Sequence, residues 1–378
     1  MSRAFLCGLA LTVACLVAGH GAEGVAATAA GDDVDAMVAL YNQNLLQDKK
    51  MESTFTAPAS DIATKVNDYN WFTHVVFFPF LILPQILLLY AMLKFRARGD
   101  GRKPATFMHH TKLENAWTAI PILTLFIVGI PAWPLLYEIE TPRTADHKIT
   151  IRGRSFAWDY EYKDERIAFG EDFGRQMPMV VAVNKVVSLA ITSNDVNHAW
   201  WVPAFGVKKD AINGRYNHCW FTPIRTGFFK GNCAELCGTG HGIMVISALV
   251  VTEPEYQRWV MLQRNRDDTL KVFNALKVEQ AQFKPEAVAE AVKAYFEKGR
   301  SADRALALRY WIASNFQSLA YNPPKVFDMT PEQARIERER HAALMEAVPA
   351  RRRQADDMIR GALALGDTVQ PVIAAQEK

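Results

Sequence analysis

The sequence predicts a two-helix transmembrane hairpin, an all-β sandwich or barrel held outside the membrane, and a helical C-terminal extension. Three observations carry that prediction: two almost unbroken apolar runs of spanning length, a stretch of short β-rich segments divided by turn residues, and a tail with helical punctuation.

The 378 residues suffice for a domain with membrane anchors and an appendage. Half of them are hydrophobic, and the formal charge of +3 is too small to argue for a nucleic-acid partner. Arg3, the apolar residues 4–18 and the small residues up to Ala30 read as a secretory signal over 1–29, with an uncleaved further helix as the alternative. Residues 30–67 then form an outer N-terminal segment.

The hairpin is expected over 68–140, with helices at 71–95 and 116–136. Pro79 and Pro84 would break a lone soluble helix, but membrane helices tolerate them. Trp117 and Trp133 sit where interfacial aromatics belong. The connecting loop carries Lys94, Arg96, Arg98, Arg102, Lys103 and Lys112 against Asp100 and Glu114, so it is expected inside and both chain ends outside.

From 148 to 251 the pattern turns to short strands, at 148–152, 156–162, 179–183, 186–192, 216–221 and 244–251, as expected for a small sandwich or barrel. Within this stretch Cys233, Cys237, His241 and Met244 fall inside twelve residues, among Gly238, Gly240 and Gly242. Thiolate and thioether with imidazole select copper over hard cations, and a Met ligand argues against zinc. His198, on a loop after a strand, offers a second imidazole. A disulfide between the two cysteines and a mononuclear blue-copper site stay open, although two bridging thiolates with one imidazole per metal use the ligands best.

The residues Ser193, Asn194 and Asp195, then His198-Ala199-Trp200, Val202-Pro203, Val207-Lys208, Asp210-Ala211-Ile212, Gly214-Arg215 and the box 233–244 closely resemble cytochrome c oxidase subunit II. The His198 to Cys233 spacing agrees with that family, and His110-Thr111, Glu114, Trp117-Thr118 and Pro121 resemble the start of its second membrane helix. The resemblance covers roughly 60–262 and implies a cupredoxin-like, Greek-key domain over 143–262 on the periplasmic side of a bacterial inner membrane.

It further implies a mixed-valence dicopper (CuA) centre. Cys233 and Cys237 would bridge both metals. His198 and Met244 would complete one copper, His241 and the backbone carbonyl of Glu235 the other, leaving the Glu235 carboxylate for a magnesium or manganese ion shared with subunit I. Electrons would come from cytochrome c and pass to the haems of subunit I, which reduces O2 to water and pumps protons beside subunit III. No haem is expected in this chain, since the tail lacks cysteine. A copper-dependent nitric oxide reductase using the same relay is the alternative reaction.

Three finer expectations follow from the resemblance. Glu114 marks the start of a proton path into subunit I. Phe156 stands where the family usually has the Trp at which electrons enter, which leaves Trp158 as the second candidate. Asp159, Glu161, Asp164, Glu165 and Asp195 are candidates for an acidic face toward a basic cytochrome. Asn213 replaces a usual Pro, and Cys219 is an extra thiol, expected to be structural.

Residues 263–378 lie outside the resemblance. Pro285 opens a predicted helix ending near Gly299, Ser301 can cap the next, and Thr330, Pro331 and Gln333 form a capping signal. These helices are expected to dock on a neighbour, while the metal domain is expected to fold without residues beyond about 275.

Overall fold

The computed structural model describes residues 33–41, 57–96, 106, 108–172, 175–278, 282–321 and 329–367. The expected signal segment and most of the basic loop, including Arg98, Arg102 and Lys103, lie outside the described residues.

A short helix α1 (Val34–Tyr41) precedes the long helices α2 (Asp61–Lys94) and α3 (Thr111–Glu140). Both long helices outrun the apolar segments that predict them, because each gains a capped start. The Ser60 hydroxyl accepts from Ala63 N at 3.0 Å, and His110 Nδ1 accepts from Leu113 N at 3.1 Å. Their most apolar stretches have mean hydropathy 2.2 and 2.1, and almost none of those side chains is covered by protein. That is the surface lipid requires.

The outer ends of the hairpin are joined to the β domain. Ala59 N donates to Ala204 O at 2.7 Å, and Thr222 N donates to the Asp61 carboxylate at 2.9 Å. Gly206 makes the close approach possible. Its φ is +66°, and a Cβ there would lie 2.8 Å from Ala63 Cα. At the end of α3, Glu140 accepts from Lys209 of β9 at 3.0 Å, and just beyond the helix the Arg143 guanidinium lies 4.1 Å over the Trp220 ring.

The β domain is a two-sheet sandwich. One sheet has the order β3 (Ile167–Phe169), β2 (Ala157–Tyr162), β1 (His147–Arg154), β7 (Val187–Ser193), β10 (Asn217–Phe221). The other has β6 (Met179–Ala182), β12 (Val245–Val251), β11 (Gly227–Cys233), β8 (His198–Val202), β9 (Val207–Ala211). β4 (Glu171–Asp172) and β5 (Arg175–Gln176) form a small separate hairpin. β1 runs parallel to β7 and β12 parallel to β6, and the other pairs are antiparallel, so the chain crosses between the sheets. Ile149, Ile151, Trp158, Tyr160, Leu189, Ile191, Phe205, Phe221, Phe229 and Ile246 fill the interior. Tyr162 ties one sheet to the other, its hydroxyl donating to Val180 O and accepting from Val180 N, both at 2.8 Å.

The helical extension starts earlier than position 263. A capping box, in which Thr252 N donates to the Glu255 carboxylate at 2.9 Å, opens α4 (Glu253–Arg264) directly after β12. Then come α5 (Arg266–Lys277), α6 (Pro285–Glu297), α7 (Ala302–Tyr321) and α8 (Pro331–Asp367). The expected punctuation is in place: Pro285 opens α6, Ser301 Oγ accepts from Arg304 N at 3.2 Å, and Gln333 N donates to Thr330 Oγ1 at 3.3 Å.

The extension docks on its own β domain. Trp259 of α4 packs against Tyr162 and Phe169, with ring centroids 4.9 and 5.8 Å away. Trp311 of α7 donates to Leu262 O at 2.8 Å. α1 closes the same seam, with Tyr41 buried edge-on to Tyr310 and donating to Glu255 O at 2.8 Å. Val272, Phe273, Leu276, Val292, Phe296 and Phe316 form a second apolar cluster within the helices.

Candidate metal centre

Three backbone features gather the predicted donors. His198 opens β8, and Cys233 closes β11 opposite Trp200. The loop between β11 and β12 is pinned at both ends, where Cys233 N donates to Met244 O at 3.0 Å and Ala234 N donates to Ala199 O at 2.9 Å. A single 3-10 turn (His241–Ile243) swings His241 back over the loop before Met244 enters β12.

All six predicted donors meet. Cys233 Sγ lies 3.8 Å from His198 Nδ1 and 3.3 Å from the Glu235 carbonyl oxygen. Cys237 Sγ lies 3.6 Å from His241 Nδ1 and 3.8 Å from Met244 Sδ. The two sulfurs are 3.9 Å apart and remain separate thiols, not the disulfide that stood as an alternative. His198, Cys233, Cys237 and Met244 are buried, His241 is half-buried, and the Glu235 side chain faces outward.

The electrostatics suit a soft cation. Burial, aided by the neighbouring Cys233, pushes the Cys237 thiol up to about 11, so its thiolate needs a positive charge beside it. Asp195 shows the opposite balance. Burial works against its charge, yet hydrogen bonds from the His198 ring and from the Ser155 side chain and backbone outweigh it, and the pKa falls to about 2. Asp195 Oδ1 lies 2.8 Å from His198 Nε2. An ionised carboxylate can only accept there, so Nε2 carries the proton and Nδ1 turns its lone pair to the sulfurs.

Two glycines make room. A Cβ at Gly153 would stand 2.8 Å from the His198 ring, and one at Gly240 would stand 2.2 Å from the Phe156 ring. Phe156 therefore lies half-buried directly against the ligand loop. Trp158 is fully buried, its ring 5.8 Å from that of His198 and edge-on to it. Glu114 accepts from His110 N at 2.8 Å and so closes the first turn of α3.

The five carboxylates considered for an acidic face all have local partners. Asp159 pairs with Arg154 at 3.0 Å, Glu161 with Arg152 at 2.7 Å, and Asp164 with Lys148 at 3.6 Å. Glu165 pairs with His147 at 3.3 Å and accepts from Tyr256 at 2.7 Å, while Asp195 holds His198. Cys219 is half-buried on β10, where burial pushes its thiol up to about 12. Asn213, in the usual Pro position, donates its amide to Asp195 O at 3.1 Å.

Sequence reasoning missed Ser155 and Gly153, and it read Asp195 as part of the family resemblance and as a surface charge, not as a partner of His198. The single available signal for Asp195 was its place three residues before His198 on a loop.

A sandwich on a two-helix anchor, with two thiols, two imidazoles and a thioether gathered between strand ends, defines a membrane-tethered protein built to hold a soft metal. The family model for the cytochrome c oxidase subunit II periplasmic domain matches residues 148–251, and that for its transmembrane domain matches 48–135. Cytochrome c oxidase subunit 2 of Cereibacter sphaeroides is 35% identical over 255 residues, covering 59% of this chain and 83% of that protein. The Cyanidium caldarium subunit is 36% identical over 176 residues, covering 41% and 68%. Among solved structures, the periplasmic domain of subunit II of cytochrome oxidase of Bradyrhizobium japonicum is 40% identical, covering 33% of this chain and 97% of that one at a TM-score of 0.31. The chain belongs to the cytochrome c oxidase subunit II family and is a membrane component of an oxidase complex.

Proposed function

We propose that this chain takes electrons from a cytochrome c at a binuclear copper centre and passes them to the haems of subunit I. There, O2 is reduced to water with proton pumping. The observation that carries the reading is the way the donors divide between the sulfurs. Cys233 touches His198 and the Glu235 carbonyl, and Cys237 touches His241 and Met244. If His198 and Met244 serve one copper and the other two donors the second, each sulfur lies against one donor of each set. Bridging thiolates require that arrangement. A mononuclear blue site would leave one sulfur without a role.

Held by His198, Cys233, Cys237, His241, Met244 and the Glu235 carbonyl, a copper pair would supply a one-electron carrier whose charge is shared over two nuclei and whose reorganisation would be small. The chain holds the donors on pinned strand ends, excludes water from four of the six side-chain and carbonyl ligands' residues, and fixes the His198 tautomer through Asp195. Phe156, against the ligand loop and partly open to solvent, is the better placed of the two candidates for the point where electrons enter. Trp158 is a core residue behind His198. The outward Glu235 carboxylate suits a magnesium or manganese ion shared with subunit I. The β domain and extension then stand on the periplasmic face of a bacterial inner membrane, beside subunits I and III.

Electron paramagnetic resonance of the purified, copper-loaded chain tests the reading. A spectrum of one electron shared over two copper nuclei is expected, with two coppers per chain by metal analysis. A one-copper blue spectrum would overturn it.

A further inference from the structure

The Asp195 carboxylate touches both a predicted copper ligand and the turn carrying Phe156. Its Oδ1 accepts from His198 Nε2 at 2.8 Å and from Ser193 Oγ at 3.3 Å. Its Oδ2 accepts from both the backbone N and the hydroxyl of Ser155, each at 2.7 Å. Its backbone is held in turn, since the N donates to Ser193 Oγ at 3.1 Å and the O accepts from Asn213 Nδ2 at 3.1 Å. Three loops thus meet on one residue: the β1–β2 turn, the β7–β8 loop and the β9–β10 loop.

We propose that Asp195 is a positioning residue of the metal centre, which aims His198 Nδ1 at the two sulfurs and, with the same carboxylate, anchors the turn that seats Phe156 on the ligand loop. This rests on the dicopper reading above. Among the described residues no other hydrogen bond restrains the far nitrogen of the His198 ring, which Gly153 and Trp158 confine only by contact. Without Asp195 the ring can take the other tautomer or turn about its Cβ, and Nδ1 then no longer presents a lone pair to the metal. Ser155 immediately precedes Phe156, so the two bonds to Oδ2 fix where the aromatic ring begins. A steering carboxylate needs its charge and little else. A positioning carboxylate needs an acceptor atom at one place.

That difference sets the experiment on the purified, copper-loaded oxidase. Asp195→Asn keeps an acceptor for His198 and loses the charge, whereas Asp195→Glu keeps the charge and displaces the acceptor by a methylene. Positioning predicts that the Asn variant keeps the copper hyperfine pattern. The Glu variant changes it and holds copper about tenfold less tightly against a chelator. Should the Glu variant not assemble, Ser155→Ala decides in its place, with a smaller change in the same pattern expected. An unchanged pattern in the Glu variant, or in Ser155→Ala when that stands in, overturns the proposal. So does an effect confined to a raised KM for cytochrome c, with weaker salt dependence, in the Asn variant. The unsubstituted chain separates the two levels: no shared-electron spectrum there means the dicopper reading has failed, whatever Asp195 does.

Discussion

Cys237 illustrates how much rides on single atoms in this centre. Its thiol is pushed up to about 11 by burial and by Cys233, and its sulfur touches both His241 and Met244. Copper uptake is therefore expected to release thiol protons and to tighten as pH rises, which titration of apparent affinity against pH measures. Cys237→Ser should abolish the shared-electron spectrum, because an alkoxide does not replace a soft bridge. Met244→Leu should keep copper and shift its potential, read by redox titration. The Cys/His/Met box was legible in the sequence because chemically distinctive residues crowd into twelve positions. His198 is 35 residues away from Cys233; the residues alone offered it as a second imidazole, and the resemblance gave it a place in the ligand set. Ser155, Gly153 and the hold of Asp195 on His198 were invisible because common residue types acquire such roles only when distant loops meet.

At the scale of elements, α4 is fastened to the sandwich by a partly buried polar contact. Glu165 is opposed by burial, but the donors His147 and Tyr256 outweigh that and hold its carboxyl below the ordinary range. A depressed folded pKa stabilises fully above the unfolded value and is lost as pH falls through the folded one. Tyr256→Phe should accordingly cost about 1.5–3 kcal/mol near neutral pH, a hydrogen bond to a charged acceptor, and less in acid below the folded Glu165 pKa. Chemical denaturation at the two pH values checks both size and sign. α3 offers a second test. Glu114→Gln keeps an acceptor for His110 N, so the helix start should survive while the proton-uptake phase of turnover slows. Unchanged turnover would leave Glu114 as a helix cap alone. The spanning helices were legible from composition, yet the start of α2 was not, since Ser60 lies outside the apolar run, and the start of α3 at His110-Thr111 was read only through the resemblance.

The whole molecule is more unified than its sequence suggests. Reading from the tail inward, nothing in the helical punctuation indicates that α7 completes the core of the β domain. Tyr310 and Trp311 nonetheless join Trp259 and Leu262 in one continuous apolar cluster. Trp311→Ala should cost about 3–5 kcal/mol, measurable by chemical denaturation. A chain cut after Ala275 should keep its copper spectrum, because β8, β11 and the loop between β11 and β12 supply every donor, but melt well below the full chain. Docking of the extension was expected. Its partner could not be read, because the apolar stripe of a helix does not say which surface it will cover.

The seating of α1 has a consequence for the order in which this protein can be finished. Asp35 and Arg352 meet at 2.8 Å across 317 intervening sequence steps. Five of the eight α1 residues are buried, and its contacts reach α4, α7 and α8, all far later along the chain. α1 emerges before either membrane helix, then waits while the hairpin inserts and the sandwich forms. So large a loop closes late, after local and intermediate contacts have reduced its entropy. Closure of α1 onto α7 and α8 is thus a meeting of segments far apart along the chain, and it leaves the apolar seam on Trp259 and Tyr310 open until those two helices have been made.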